Sequence, residues 1–306
     1  MRNTRKKGIL TSGKARINAA SYIFLAPWMM IFLLFTVIPV ISAVVLSFTN
    51  FDILRTPQFL GIDNYIRLLL EDDVFLIALK NTLLLAIITG PAGYLLSFLL
   101  AWLISDLGPK ARSVMTLVFY APALSGNIYY IWQFIFSDDS AGLLNSWLMQ
   151  LNITKDPIYW LTDTEFSMAV CIVVILWTSM GAGFLSFVAG FMQLDKALFE
   201  AGAIDGIRNR WQELWFITLP QMGPQLLIGA VLGISGAFAV GYQNAAMTGF
   251  PSTDYVTHTL VLHIQDYGSI RFELGYACAI AVMLFLLMVL AWSGINKFLK
   301  VFISNG

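Results

Sequence analysis

The sequence predicts an all-α membrane protein with six transmembrane helices and both ends in the cytoplasm. Three observations carry that reading. The chain has 306 residues, of which 58% are hydrophobic and 12% charged, with a mean hydropathy of +0.75; soluble domains carry about 25% charged residues. Six runs of 23 or more residues contain no Asp, Glu, Lys or Arg: 17–51, 81–105, 113–137, 166–194, 214–253 and 274–296. A helix needs about 20 apolar residues to cross the hydrocarbon. Finally, 13 of the 18 basic residues gather on one side of the implied topology: six before the first run, then Lys110, Arg112, Lys196, Arg208, Arg210, Lys297 and Lys300. The positive-inside rule makes that side cytoplasmic.

The elements come in this order. A basic segment, 1–20, precedes a first helix over 22–48. That run is too long for a signal-peptide core of about 7–15 residues, so it reads as a retained helix. An outer segment leads to a second helix, 76–104, and a third, 114–136. In the next outer segment Leu143, Leu144, Trp147, Leu148 and Leu151 recur at helical spacing, which predicts a helix at the membrane surface. A fourth helix spans 167–191, a fifth 225–242 and a sixth 274–298. Cys171 and Cys278 fall inside spans and read as buried thiols.

Zero net charge points to no nucleic acid. No phosphate-cradling P-loop is present, so hydrolysis of ATP by this chain is not expected. His258 and His263, the two histidines, read as solvated or structural rather than metal-binding. No catalytic residues and no metal site are expected. The spans hold no Asp, Glu, Lys, Arg or His, whereas ion-coupled transporters place ionisable groups there despite the cost. Energy for uphill transport must therefore enter elsewhere, and an uncharged lining suits a neutral polar solute.

The place for it to enter is the polar insert 200–220, EAGAIDGIRNRWQELWFITLP. It reads as a short helix, a break at Gly206, and a second amphipathic piece ending at Leu219-Pro220: a handle offered to a soluble partner. Gly206 permits a sharp break, and Pro220 and Pro224 suit the first turn of the fifth helix. Glu200-Ala201-Gly202, three residues, Gly206, then Ile217-Thr218-Leu219-Pro220 resembles the EAA loop of ABC importer permeases, which docks on the ATPase subunit. Two departures stand: Gly202 replaces the family's second alanine, and ten residues rather than nine separate Gly206 from Ile217. One extra residue rotates a following α-helix by about 100°. Asp205-Gly206 and Trp211-Gln212 resemble the carbohydrate-uptake branch. Lys80-Asn81-Thr82, Gly142-Leu143-Leu144-Asn145, Trp160-Leu161, Thr248-Gly249 with Pro251, and Leu274-Gly275-Tyr276-Ala277 resemble further segments of the permease family, in family order.

The resemblance implies the type I importer permease fold, with 21–76 as first helix and outer segment, 77–298 as permease core, and 192–222 as docking loop. It implies ATPase docking by Glu200, Ala201, Gly202, Asp205, Gly206, Leu219 and Pro220. It implies a second, different permease chain, two ATPase subunits holding ATP and Mg, an extracytoplasmic solute-binding protein, and a bacterial cytoplasmic membrane. For a sugar path the sequence offers Tyr120, Ser125, Asn127, Trp177, Thr178, Ser179, Gly233 and Ala237; by the resemblance, Ser125, Ser179, Gly233 and Ala237 fall where maltose-type permeases contact substrate. Small and hydroxyl residues also serve close helix packing, which is the alternative for each. An ATPase-independent facilitator or channel, or a membrane enzyme or assembly factor, is the alternative for the whole.

Overall fold

The computed structural model describes residues 21–126 and 128–304, with side chains described as far as Lys297. The basic segment 1–20 and Asn127 lie outside the described residues. The described chain is helical, with one isolated bridge, Thr49 to Phe59, as its only β-pairing. Four helical stretches are long and apolar enough to cross a membrane: α1 (Ser21–Leu46), α3 (Asp73–Ser105), the broken stretch Ser167–Gln193 and α14 (Leu274–Ser304). Two bent pairs bring the number to six if each is one span: α4 (Pro109–Leu124) with α5 (Tyr129–Ile135), and α10 (Arg210–Gln221) with α11 (Gly223–Phe238). Short helices complete the chain: α2 (Asp63–Leu70), α6 (Leu143–Gln150), α9 (Lys196–Ile204), α12 (Tyr242–Thr248) and α13 (Leu260–Gln265). The helix expected around Leu143–Leu151 is present as α6.

Three of the expected spans are not continuous helices. The third is interrupted between Leu124 and Tyr129. The fourth is divided at Ser179–Gly181 into α7 (Ser167–Thr178) and α8 (Ala182–Gln193). The fifth ends at Phe238 and restarts as α12 after Ala239–Gly241. Gly181 and Gly241 adopt non-helical backbone just before the second helix of each pair. Backbone groups freed at such a break must be satisfied inside the protein or at a wet cavity.

α3 is the spine, about 50 Å long at 1.5 Å per residue. Its first half packs with α13 and α14 through Phe75, Ala78, Leu260 and Ile280. Its middle meets α7 through Leu85, Val170 and Val174. Its last turns meet α8 and α11 through Phe98, Trp102, Phe187 and Leu226. α1 stands apart: its most apolar stretch buries nothing within the chain. Only its last turns lean on α14, where Gly275 N–H donates to Phe51 O at 2.9 Å and Asn64 Nδ2 reaches Ser47 O and Thr49 O. Apolar side chains left exposed on a spanning helix are what hydrocarbon requires.

Candidate functional site: a central cavity and its handle

The handle forms by local rules. Asp195 caps α9, accepting from Ala197 N–H at 3.0 Å. α9 ends in a Schellman arrangement: Ile207 N–H donates to Gly202 O at 2.9 Å and Gly206 N–H to Ala203 O at 3.4 Å. Gly206 has φ +95°, the left-handed region that favours glycine, so the expected break is present and has its cause. Asn209 then caps α10 through Gln212 N–H at 2.9 Å, while the Gln212 side chain accepts from Arg208 N–H.

Both departures in this loop have physical reasons. Gly202 is buried, and a Cβ there would stand 2.7 Å from Ile217 Cδ1 and 3.0 Å from Ile207 Cδ1. Two isoleucines fill the space an alanine methyl would take. The extra residue before Ile217 falls at a π turn, Leu214–Thr218, closed by Leu219 N–H to Leu214 O. A π turn holds one residue more than an α turn, so the insertion need not rotate the helix beyond it. Pro220 is a correction. It lies in the last turn of α10, not at the start of the fifth helix; α10 and α11 meet at 82° around Met222, and Pro224 alone opens α11.

Glu200, Ala201, Asp205, Gly206 and Pro220 are exposed, Leu219 is half-buried and Gly202 is buried. Around them Ile204 is 87% exposed, Trp211 66% and Phe216 66%, an apolar surface at the same end as the charges. The handle is moored to α3 by Arg210. Its guanidinium pairs with Asp106 at 2.7 Å, donates to Trp102 O at 3.2 Å and lies 4.7 Å from the Trp102 ring.

Within the bundle, α3, α7, α8 and α11 enclose a cavity of ≈ 270 Å³. Thr178, Ser179, Gly233 and Ala237 line it together. So do Tyr94 and Ser97 of α3 and Gln243 of α12, which the sequence reading passed over; Gln243, just after the break at Gly241, was the findable one. No charged side chain lines the cavity. The small residues sort into two kinds. A Cβ on Gly93 would meet Ser179 Oγ at 2.9 Å, and one on Gly229 would collide with the Phe187 ring; these glycines serve packing. Gly233 and Gly236 have nothing within 4 Å of an added Cβ; they hold space open. Ser179 and Thr178 hydroxyls bond back to carbonyls of their own helix.

The other candidates lie elsewhere. Trp177 meets Trp132 edge-on at 5.2 Å, because α7 turns that face toward α5. Tyr120 lines a separate groove with Arg112 and Met192. Ser125 is exposed at the interruption after α4, and Asn127 is outside the described residues. His258 and His263 are each 1% exposed and hydrogen-bonded to one another, so the solvated alternative is overturned in favour of the structural one. Cys171 is buried and Cys278 half-buried, both free thiols.

No family model matches the chain. Curated proteins do. The probable ABC transporter permease protein YurN of Bacillus subtilis is 30% identical over 284 residues, covering 91% of this chain and 95% of that one. This chain belongs to the ABC transporter permease family. The arabinooligosaccharides transport system permease protein AraP of Bacillus subtilis is 29% identical over 280 residues, covering 89% of this chain and 86% of that one. Among solved structures, a bacterial alginate ABC transporter in complex with an alginate pentasaccharide-bound periplasmic protein aligns with a TM-score of 0.77 at 23% identity, over 95% of this permease and 97% of that chain. That likeness gives the fold: an all-helical ABC permease.

Proposed function

We propose that this permease serves an ATP-driven, binding-protein-dependent importer of neutral sugars or oligosaccharides. In this reading it crosses a bacterial cytoplasmic membrane six times with both ends inside. Residues 1–20 form a basic cytoplasmic segment, 21–76 the first helix and outer segment, and 77–298 the permease core containing the docking loop 192–222. AraP's name supports a sugar, and the uncharged cavity supports a neutral one.

One observation carries the mechanism: α8 and α11, which wall the cavity, are also the two helices joined by the handle. Glu200, Ala201, Gly202, Asp205, Gly206, Leu219 and Pro220 would present that handle to an ATPase subunit. The ATPase pair, holding ATP and Mg, supplies the energy. A push on α9 is passed through the Gly206 turn and the 82° elbow at Met222 to both walls. Gly233, Ala237, Thr178 and Ser179 then face alternate sides of the membrane. Ligand-driven shifts of this kind need differential affinity for the two states. The partners are a second, different permease chain, two ATPase subunits and an extracytoplasmic binding protein.

The test has two arms in the reconstituted transporter. Gly206→Val leaves the protein inserted but separates ATP hydrolysis from uptake, since a β-branched residue opposes positive φ by about 1–2 kcal/mol. Gly233→Leu fills open cavity space, so uptake falls at least tenfold while ATPase copurification persists. Normal coupled uptake in both variants rejects the reading.

A further inference from the structure

We propose a second solute site in this chain: an outer station for one or two neutral sugar rings, divided from the central cavity by α12. It rests on the sugar-uptake reading and adds a place the solute occupies before the central cavity.

The station is a pocket of ≈ 290 Å³ lined chiefly by Tyr129, Tyr130 and Gln133 of α5, Tyr242 of α12, Phe250 and Gln265. That is near the lower size limit of small-ligand cavities, about 300 Å³. α12 is the partition. Its Gln243 lines the central cavity, while Tyr242, Ala245 and Ala246, one helical face, line the outer pocket. α5 and α12 both follow the interruptions of their spans, and they are clasped to each other. Gln133 Nε2 donates to Ala246 O, and the Tyr129 and Tyr242 rings meet edge-on at 5.7 Å. The pocket thus stands beyond the breaks, away from the handle.

Its lining matches one chemistry. A sugar ring offers an apolar C–H face and an edge of hydroxyls. Tyrosine offers a flat apolar ring with a polar tip; Tyr130 and Tyr242 are 69% and 62% exposed. A primary amide is a donor beside an acceptor, the pair that adjacent hydroxyls require. The Gln265 side-chain amide makes no hydrogen bond among the described residues, and that of Gln133 uses only its nitrogen. No Lys, Arg, His, Asp or Glu lines the pocket. An acidic sugar would lose its hydration there with no cation in return, which costs several kcal/mol. The station therefore selects neutral sugars.

The test uses the full transporter, with partner permease, ATPase and binding protein, reconstituted in vesicles. Uptake of radiolabelled arabinotriose, maltotriose and lactose is measured, and the best substrate is carried forward. Tyr130→Ala and Gln265→Ala, both at exposed positions, are compared with Tyr130→Phe. Capture of the sugar-loaded binding protein by the vesicles is measured in parallel. The expected result is an apparent KM raised about tenfold, or ~1.4 kcal/mol, by Tyr130→Ala with Gln265→Ala. Capture of the binding protein persists, and Tyr130→Phe recovers most of the loss. An unchanged KM, or a KM that rises only in step with lost capture, overturns the station and leaves sugar uptake standing. Uptake of none of the three sugars by the wild-type transporter overturns the sugar reading, and the station with it.

Discussion

The two ends of the bundle are built differently. At the end opposite the handle, charged and polar groups from α2, the start of α3, α13 and the start of α14 are bonded to one another, with the Asp72, His258 and His263 side chains buried among them. The Asp72 carboxylate accepts from Phe75 N–H at 2.9 Å and from Tyr276 Oη–H at 2.7 Å, and it lies 3.0 Å from His263 Nε2. His263 Nδ1 is 3.3 Å from His258 Nε2. Arg67 pairs with Glu273 at 2.6 Å and lies 4.2 Å from the Tyr276 ring; Arg271 pairs with Asp266 at 2.6 Å and lies 4.3 Å from the Tyr267 ring. At the handle end the polar bonds among the described residues are sparser, an ion pair between half-exposed groups, two helix caps and a glycine turn, and Ile204, Trp211 and Phe216 face outward. One end is bonded to itself. The other leaves apolar side chains exposed, which suits the docking role proposed for it.

The largest effect expected comes from Asp72. Burial opposes its ionisation, but bonds from His263, Tyr276 and the Phe75 amide outweigh it and hold the carboxyl well below the usual range. Asp72→Ala strips an acceptor from three donors and removes the cap of α3. A loss of about 3 kcal/mol is expected, read as thermal unfolding of the detergent-solubilised protein by circular dichroism. Asp72→Asn keeps a capping oxygen and should cost less. A loss below about 1 kcal/mol for the alanine variant would erase the difference between the two ends.

Acid should loosen the same end next. His258 is lowered from 6.5 to about 4, first by burial and then by the neighbouring His263; Asp266 and Asp72 oppose this, and Arg271 adds to it. Both ring nitrogens of His263 are engaged, Nδ1 with His258 Nε2 and Nε2 with Asp72. His258 Nδ1 is buried without a partner, so a proton there brings charge with no acceptor. An unfolded histidine binds its proton near 6.5, whereas the folded one resists until about 4. Stability from this site is complete above pH 6.5 and declines as pH falls toward 4. Protection of the amides of α13 against hydrogen exchange should drop across that window, and His258→Gln should flatten the slope. Equal slopes in both proteins would remove His258 as the cause.

This contrast was only half legible beforehand. Charge-free runs announce membrane helices because hydrocarbon tolerates little else, and the handle was visible because Glu200–Pro220 interrupts them with polar residues. Interruptions inside an apolar run carry no such mark. Gly181 and Gly241 sit among many glycines, and nothing in the pattern separates a backbone break from close packing at Gly93 or Gly229. Ser179 and Gly233 were found as a hydroxyl and a small residue inside apolar runs, a choice the resemblance supported; Gln243 was missed although it comes just after a break. The Asp72 cluster was hidden for another reason. Asp72 and His263 are 191 residues apart, and an acidic N-cap and a loop histidine look ordinary until folding joins them. Gly202 was visible as a departure, but its reason lay in Ile217, across a turn.

The smallest effect is expected where the handle is moored. Arg210 and Asp106 are 41% and 60% exposed, and water screens such pairs, so their coupling should be about 0.5 kcal/mol or less. A double-mutant cycle of Arg210→Ala and Asp106→Ala on thermal unfolding isolates that value. Arg210→Ala should cost somewhat more than Asp106→Ala, because it also gives up the Trp102 carbonyl and the Trp102 ring face, the latter worth about 0.5–1 kcal/mol at an exposed site. Arg210→Lys should keep the charge and lose the flat contact with the ring. Both arginine variants should lower sugar transported per ATP hydrolysed by a larger factor than they lower stability, since a handle loosened from α3 moves without moving the cavity walls. A coupling energy above about 2 kcal/mol would mean that the handle end is as firmly bonded to itself as the end around Asp72, and its exposed aromatic surface would then need an explanation other than a docking partner.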